Sequence, residues 1–334
     1  SKTSMTVGEA GTNTYTVVLD SEPSANVTIT PSSSNTSAAT VSGALTFTTS
    51  NWATAQTITV SGVSDGNNIN ESVTISHTVS GGDYASVTVT DVAVTTADDY
   101  TAGITLSAIS GNTTEGTATA TFTIVLNTEP TADVVIALSS SDTTEGTVSP
   151  SSVTFTNSNW SSTQTVTVTG VNDDIDDGDI NYSIVTAAAT SSDSDYSGLN
   201  ASDASVTNTD NDTAGVTLSS ISGNTTEGAA TATFTIVLNT EPTADVVIAL
   251  SSSDTTEGTV SPSSVTFTSS NWSSTQTVTV TGVNDDIDDD NISYSIVTAA
   301  ATSSDPDYSG LNASDVSITN TDNDTAGITQ SATS

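Results

Sequence analysis

Between residues 117 and 126 apolar and polar side chains alternate. Ala118, Ala120, Phe122, Ile124 and Leu126 share one parity, while four threonines and a valine fill the other. A period of two sends successive side chains to opposite faces of an extended backbone, so this stretch reads as a strand with one face in a core. The rhythm recurs through the chain, and no apolar stripe at i, i+3, i+4 interrupts it. Within residues 102–213 it predicts seven strands, A to G, at 104–109, 117–126, 133–138, 153–156, 163–168, 181–187 and 204–209. Seven short strands with turn residues roughly every 8–12 positions predict an all-β fold, an immunoglobulin-like antiparallel sandwich. Phe122, Phe155 and Tyr182 are core candidates, and Trp160, just before strand E, is expected to plug the core edge. The alternating threonines of strands B and E are expected on the solvated face of a twisted sheet.

The pattern repeats on a larger scale. Residues 102–213 and 214–325 align without a gap at an offset of 112 and differ at ten positions, among them Ile104/Val216, Gly178/Asp290 and Ser194/Pro306. Residues 1–101 are a diverged copy, in which GEAGTNTYTVVLDSEPSANVTI stands where the second copy has TEGTATATFTIVLNTEPTADVVI. Trp52, Trp160 and Trp272 mark the phase. A period this long matches one sandwich domain and is far too long for a solenoid turn. The expected organisation is three tandem sandwiches, 1–101, 102–213 and 214–325, followed by 326–334 as the first strand of a further repeat or a donor strand. No stretch approaches the length of a membrane span and no charged-then-apolar leader opens the chain, which reads as a mature or excised segment.

Charge narrows the possible partners. The 334 residues hold 39 acidic side chains against one basic one, Lys2, for a net charge of −38. Nucleic acid and anionic membrane surfaces both select Lys and Arg, so both are excluded as partners, and direct membrane insertion is not expected. With only 12% of residues charged, the acids are local rather than spread as a coat. There is no cysteine to staple the fold, and one lysine confines Lys–Asn crosslinking to the first repeat.

Strands that run alternately up and down bring the A–B, C–D and E–F loops and the end of strand G to one pole. In the second repeat those places hold Glu115; Asp142 and Glu145; Asp173, Asp174, Asp176, Asp177 and Asp179; and Asp210 and Asp212. That is ten of its 15 acidic residues. Two like unit charges 4 Å apart repel by about 4 kcal/mol at an effective dielectric of 20, so such a cluster must protonate or hold cations. Calcium, which takes six to eight hard oxygen ligands, suits a set of Asp, Glu, Asn and loop carbonyls. Zinc and copper would want His or Cys, which the second and third repeats lack. Asp193 and Asp195 fall at the opposite pole and read as turn residues.

The Glu-Gly after strand A, the Asp-rich E–F loop and the terminal acidic cluster resemble Calx-beta domains, calcium-binding sandwiches. The TFTxxNWxxxQTVTVTG phrase and the DNDTAG junction look like the versions repeated in very large bacterial and archaeal surface proteins. The resemblance covers nearly the whole chain. It implies calcium near the domain junction, held by Glu115, Asp173, Asp174, Asp176, Asp210 and Asp212, and in the third repeat by Glu227, Asp285, Asp286, Asp288, Asp322 and Asp324. Two departures stand out: SSDTTEGTVSPSSVTF replaces the usual Gly-x-Asp-Tyr segment before strand D, and the glutamates that often follow the E–F aspartates are missing. In the first repeat the E–F loop is SDGNNINES, leaving Asp65 and Glu71. With Glu9 and the terminal Asp98 and Asp99 these are expected to hold one ion, weakly. The lone His77 reads as a strand residue rather than a ligand.

Without His, Cys, Lys or Arg in two of three repeats, the usual nucleophile–base pairs are absent, and no enzyme activity is expected. The leading expectation is an extracellular, cell-surface stalk or fibre stiffened by calcium, whose partners are neighbouring repeats or subunits of the same protein. The rival is an adhesive module binding a surface glycan or protein, although no aromatic platform or basic pocket supports it. Two readings stand for the TAGITQSATS tail: a cut through a longer array, or a strand donated to the next subunit.

Overall fold

The computed structural model describes residues 2–116, 118–228 and 230–331. The first sandwich comprises β1 (Ser4–Gly8), β2 (Thr12–Val17), β3 (Val27–Ser33), β4 (Ala39–Val41), β5 (Leu45–Phe47), β6 (Gln56–Gly62), β7 (Glu71–Ser80) and β8 (Val92–Ala97). The second has nine strands: β9 (Ile104–Leu106), β10 (Thr113–Thr114), β11 (Thr119–Leu126), β12 (Val134–Ser140), β13 (Gly146–Ser149), β14 (Ser152–Phe155), β15 (Gln164–Gly170), β16 (Ile180–Thr186) and β17 (Ala204–Thr209). The third repeats these as β18 (Val216–Leu218), β19 (Thr225–Thr226), β20 (Thr231–Leu238), β21 (Val246–Ser252), β22 (Gly258–Ser261), β23 (Ser264–Phe267), β24 (Gln276–Gly282), β25 (Ile292–Thr298) and β26 (Val316–Thr321). Among the described residues the only helical element is a single turn, Gly82–Tyr84, and no helix is long and apolar enough to cross a membrane.

The fold is all-β, tandem immunoglobulin-like sandwiches. In the second sandwich a five-stranded sheet, β10-β17-β16-β12-β14, faces a four-stranded one, β13-β15-β11-β9. The period-two pattern does the sorting: along β11, Ala120, Phe122, Ile124 and Leu126 are buried and the intervening residues are not. Phe122, Ile124 and Leu126 meet Ile136, Phe155, Val166 and Tyr182 from both sheets in one continuous core, with Trp160 packed at its edge. The three aromatic core candidates are all buried.

Three details depart from the expected strands. Strand A pairs with β11 only as far as Leu106. Beyond it the side-chain hydroxyls of Ser107 and Ser110 accept from the Thr123 and Thr121 amides, taking over hydrogen bonds a continuing strand would make. The chain then crosses to the other sheet, where β10 runs parallel to β17. The sheets are therefore not wholly antiparallel. The third detail is β13, which lies in the segment read as a connection and pairs with β15. Residue 117, the expected start of strand B, falls outside the described residues.

In the first sandwich β1 runs parallel to β8 over five residues. Among the described residues its second sheet has three strands, β2-β6-β4, and β2 forms the edge that β9 and β18 cover in the other two.

Candidate metal centre

Parallel pairing at the end of the sandwich builds the acidic pole. The Glu115 amide donates to the Thr209 carbonyl at 3.1 Å, which ties the residue after β10 to the end of β17. Its carboxylate is turned inward, only 6% exposed. Gly116 follows with φ of 96°, a left-handed conformation that favours glycine and lets the chain leave the pole at once. Asn211 braces the site, its Nδ2 donating to the Glu115 carbonyl at 3.1 Å and to Asn172 Oδ1 at 3.2 Å. The Asp212 amide donates to Asp210 Oδ1 at 2.7 Å, folding the end of strand G back on itself. One carboxylate oxygen from each of Glu115, Asp210 and Asp212 then lies within 4.8 Å of the others.

A second group stands beside it. Glu145, also buried, offers an oxygen within 4.8 Å of oxygens from Asp173 and Asp177. The Val171 amide donates to its carbonyl at 2.9 Å. Buried Asn208 donates to Glu145 Oε2 at 3.4 Å and to the Val171 carbonyl at 3.0 Å, while its Oδ1 accepts from Thr113. In the third sandwich Glu227, Asp322 and Asp324 form the counterpart of the first group. In the first, Glu9 belongs to two groups, one with Asp98 and Asp99 and one with Asp65 and Glu71.

The pole thus gathers acids from distant sequence, but not the carried-over set as a single cage. Asp173 joins Glu145 rather than Glu115. Asp174, Asp176, Asp285, Asp286 and Asp288 lie outside these groups. Asp176 Oδ2 instead accepts from the Ala214 amide at 2.8 Å, and Asp288 Oδ2 from the Ala326 amide at 2.6 Å. The Asp174 carbonyl accepts from the Glu241 amide of the third sandwich at 2.6 Å, and the Gly66 carbonyl likewise from Glu129. Glu145 and Asp177 were missing from that set, although position at the pole marks both. In the first repeat Glu71, read there with Asp65 and Glu9, does join them.

Crowding shows in the acid–base behaviour. Burial, and then the fields of Asp173, Asp210 and Asp177, push Glu115 up to about 7 against the lowering effect of a hydrogen bond from Asn211. Glu9, Glu145 and Glu227 shift the same way, burial first and neighbouring carboxylates after it. By contrast Asp193, at the opposite pole, is held below its ordinary value. Burial alone would raise it, but hydrogen bonds from Thr131, Asp195 and Tyr196 outweigh that. It is a turn clamp, donated to by the Thr131 amide at 2.8 Å. His77 lies on β7, 2.6 Å from the Tyr15 hydroxyl, in none of the groups.

The donor set fits calcium. Glu9 Oε1, Asp98 Oδ2 and Asp324 Oδ2 are buried without a hydrogen-bond partner, and every atom offered is a hard oxygen.

No protein-family model and no curated protein matches the chain. Among solved structures it is similar to domains 4 and 5 of the S-layer protein SbsC, at 16% identity over 55% of this chain and 75% of that one, with a TM-score of 0.25. Domains 4–9 of the same S-layer protein match at 16% identity over 88% and 39%, TM-score 0.26. The calcium binding domain CBD12 of CALX1.1 matches at 13% identity over 56% and 78%, TM-score 0.27. The fold itself rests on the strand pairing described above.

Proposed function

We infer that this chain is a non-catalytic segment of an extracellular stalk or fibre, in which calcium at the acidic pole of each sandwich stiffens the joint to the next. One observation carries the reading: a buried glutamate, Glu9, Glu115 or Glu227, stands at each pole within 4.8 Å of two carboxylates that end strand G. Lys2, the only basic residue besides His77, donates its hydrogen bonds to β2, at Asn13 Oδ1 and the Thr14 carbonyl. A cation from solution is the remaining partner for such a cluster. In the second sandwich Glu115, Asp210 and Asp212 would hold one ion, with Glu145, Asp173 and Asp177 beside it. The E–F loop that carries Asp173 also touches the third sandwich through Asp174 and, through Asp176, the start of the segment leading into it. Fixing that loop therefore removes freedom at the joint. Extracellular modules work with calcium affinities of roughly 10⁻⁴–10⁻³ M, a level loop carboxylates reach without a dedicated cage.

The test is small-angle scattering of the whole chain with calcium and with chelator, alongside calorimetry. The reading expects a larger maximum dimension and a higher melting temperature with calcium. An unchanged scattering profile would remove the stiffening, and an unchanged melting temperature would remove the site.

A further inference from the structure

The second sandwich is entered at one pole and left at the other. The chain arrives through β9 at the pole away from the acids, where Ile104 stands opposite Leu126, the last residue of β11. It then crosses to β10, which pairs in parallel with β17, Thr113 opposite Asn208 and Thr114 opposite Thr209. From β17 it departs at the acidic pole, through Asp210 and Asp212, towards the third sandwich. Tension along the chain therefore draws β10 and β17 in opposite directions along their own length. The hydrogen bonds between them run across that pull, so they must strain together before any one of them parts. The third sandwich repeats the pair, Thr225 opposite Asn320 and Thr226 opposite Thr321, and in the first β1 runs parallel to β8 up to Gly8 opposite Ala97.

Side chains reinforce the same two strands. Buried Thr113 donates through Oγ1 to Asn208 Oδ1 at 3.0 Å, and Asn211, just past β17, donates to the Glu115 carbonyl at 3.1 Å. Thr225 with Asn320 and Asn323 with Glu227 repeat these bonds at 3.0 and 2.8 Å. The carboxylates divide across the pair as well. Glu115 follows β10, Asp210 and Asp212 follow β17, and one oxygen of each lies within 4.8 Å of the others. Glu227 faces Asp322 and Asp324 in the same way, and Glu9 faces Asp98 and Asp99. Glu9 is only 6% exposed, and its Oε1 is buried without a hydrogen-bond partner, as are Asp98 Oδ2 and Asp324 Oδ2.

We propose that these parallel pairs are the tension-bearing elements of the chain, and that an ion shared between Glu115 and the Asp210–Asp212 end of β17, and at the matching places in the other sandwiches, locks each pair against sliding. The lock rests on the calcium reading; the pair does not. Sliding by one residue displaces the strands by about 3.3 Å. A calcium–oxygen bond of roughly 2.3–2.6 Å cannot follow that far, so the ion must leave the ligands of one strand before the pair slips. An ion held by Glu145, Asp173 and Asp177 ties segments outside the pair and adds no such lock.

Optical tweezers on the whole chain test both parts. The chain has no cysteine, so paired cysteine variants fix where the pull is applied. Handles on Asn112→Cys and Thr213→Cys, both exposed, slide β10 along β17, whereas handles on Asn112→Cys and the exposed Ser202→Cys part the two strands from one end. The first geometry is expected to need the higher unfolding force, in chelator as well as in calcium. Forced unfolding follows the unfolding rate, so free calcium at a hundred times its dissociation constant is expected to slow it about a hundredfold in the first geometry. Glu115→Gln and Asp212→Asn, each pulled in that geometry, are expected to remove this slowing. Equal forces in the two geometries would overturn the pair as the tension-bearing element. A melting temperature raised by calcium while the unfolding force stays put would overturn the lock and leave the calcium site standing. If neither responds, the site and the lock fall together.

Discussion

The first and second sandwiches share a frame and fill it differently. Where Gly146 of β13 opposes Gly170 on β15, Ala39 of β4 opposes Gly62 on β6. The glycine has a reason: a Cβ at 146 would lie 2.1 Å from the Tyr182 hydroxyl. In the first sandwich Val73 occupies the place of Tyr182, and an alanine methyl is tolerated. The acidic pole diverges likewise. Glu9 alone serves two carboxylate groups, whereas the second sandwich gives each group its own glutamate, Glu115 and Glu145. Strand pairing sets where backbone ends meet, and side chains there change in compensated sets.

The strongest way to break the comparison is to remove the cation. At free calcium a hundred times its dissociation constant, one site adds about 2.7 kcal/mol to the folded state. For a bead of this size that raises its melting temperature by roughly 10 °C or more. Calorimetry in chelator should lower the transitions of the second and third sandwiches, with two glutamate-led groups or their close copies, more than that of the first. Next in size is Gly146→Ala, expected to cost about 1–3 kcal/mol through overpacking against Tyr182. Adding Tyr182→Val should make the pair of changes cost less than the two separate costs summed, measured by urea unfolding, since it recreates the first sandwich's solution.

A smaller effect has two signs. Glu115→Gln keeps the shape and removes a buried charge, so without calcium the melting temperature should rise by a few degrees. With calcium the variant should lose most of the ion-dependent gain. The smallest effect is that of pH in chelator. Glu115 lies near 4.5 unfolded and near 7 folded, so between these values the folded chain holds more protons than the unfolded one, and stability falls as pH rises. A melting temperature higher at pH 5 than at pH 7.5 is expected in chelator, and calcium should flatten or invert that slope.

Much of this was legible in the chain because the governing patterns are local. Alternation along β11 named its buried face residue by residue, and alternating strand direction put Glu115, Asp173 and Asp210 at one pole. What stayed hidden depends on contacts between distant segments. Nothing in Thr113–Thr114 or Gly146–Ser149 carries an apolar rhythm; each is a strand because an edge of β17 or β15 lies ready beside it. The division of carboxylates between Glu115 and Glu145 is set by Asn211 and Asn208, whose side-chain amides brace separate backbones. Their roles are written only in the folded arrangement.

The joints are gripped by main-chain atoms, Glu129 to Gly66 and Glu241 to Asp174, with the Asp176 carboxylate adding a side-chain hold on the Ala214 amide in the second. Pulled from its ends, such a chain behaves as springs in series. One common force passes through every link, and inserting another bead adds reach while leaving the load at which a link yields unchanged.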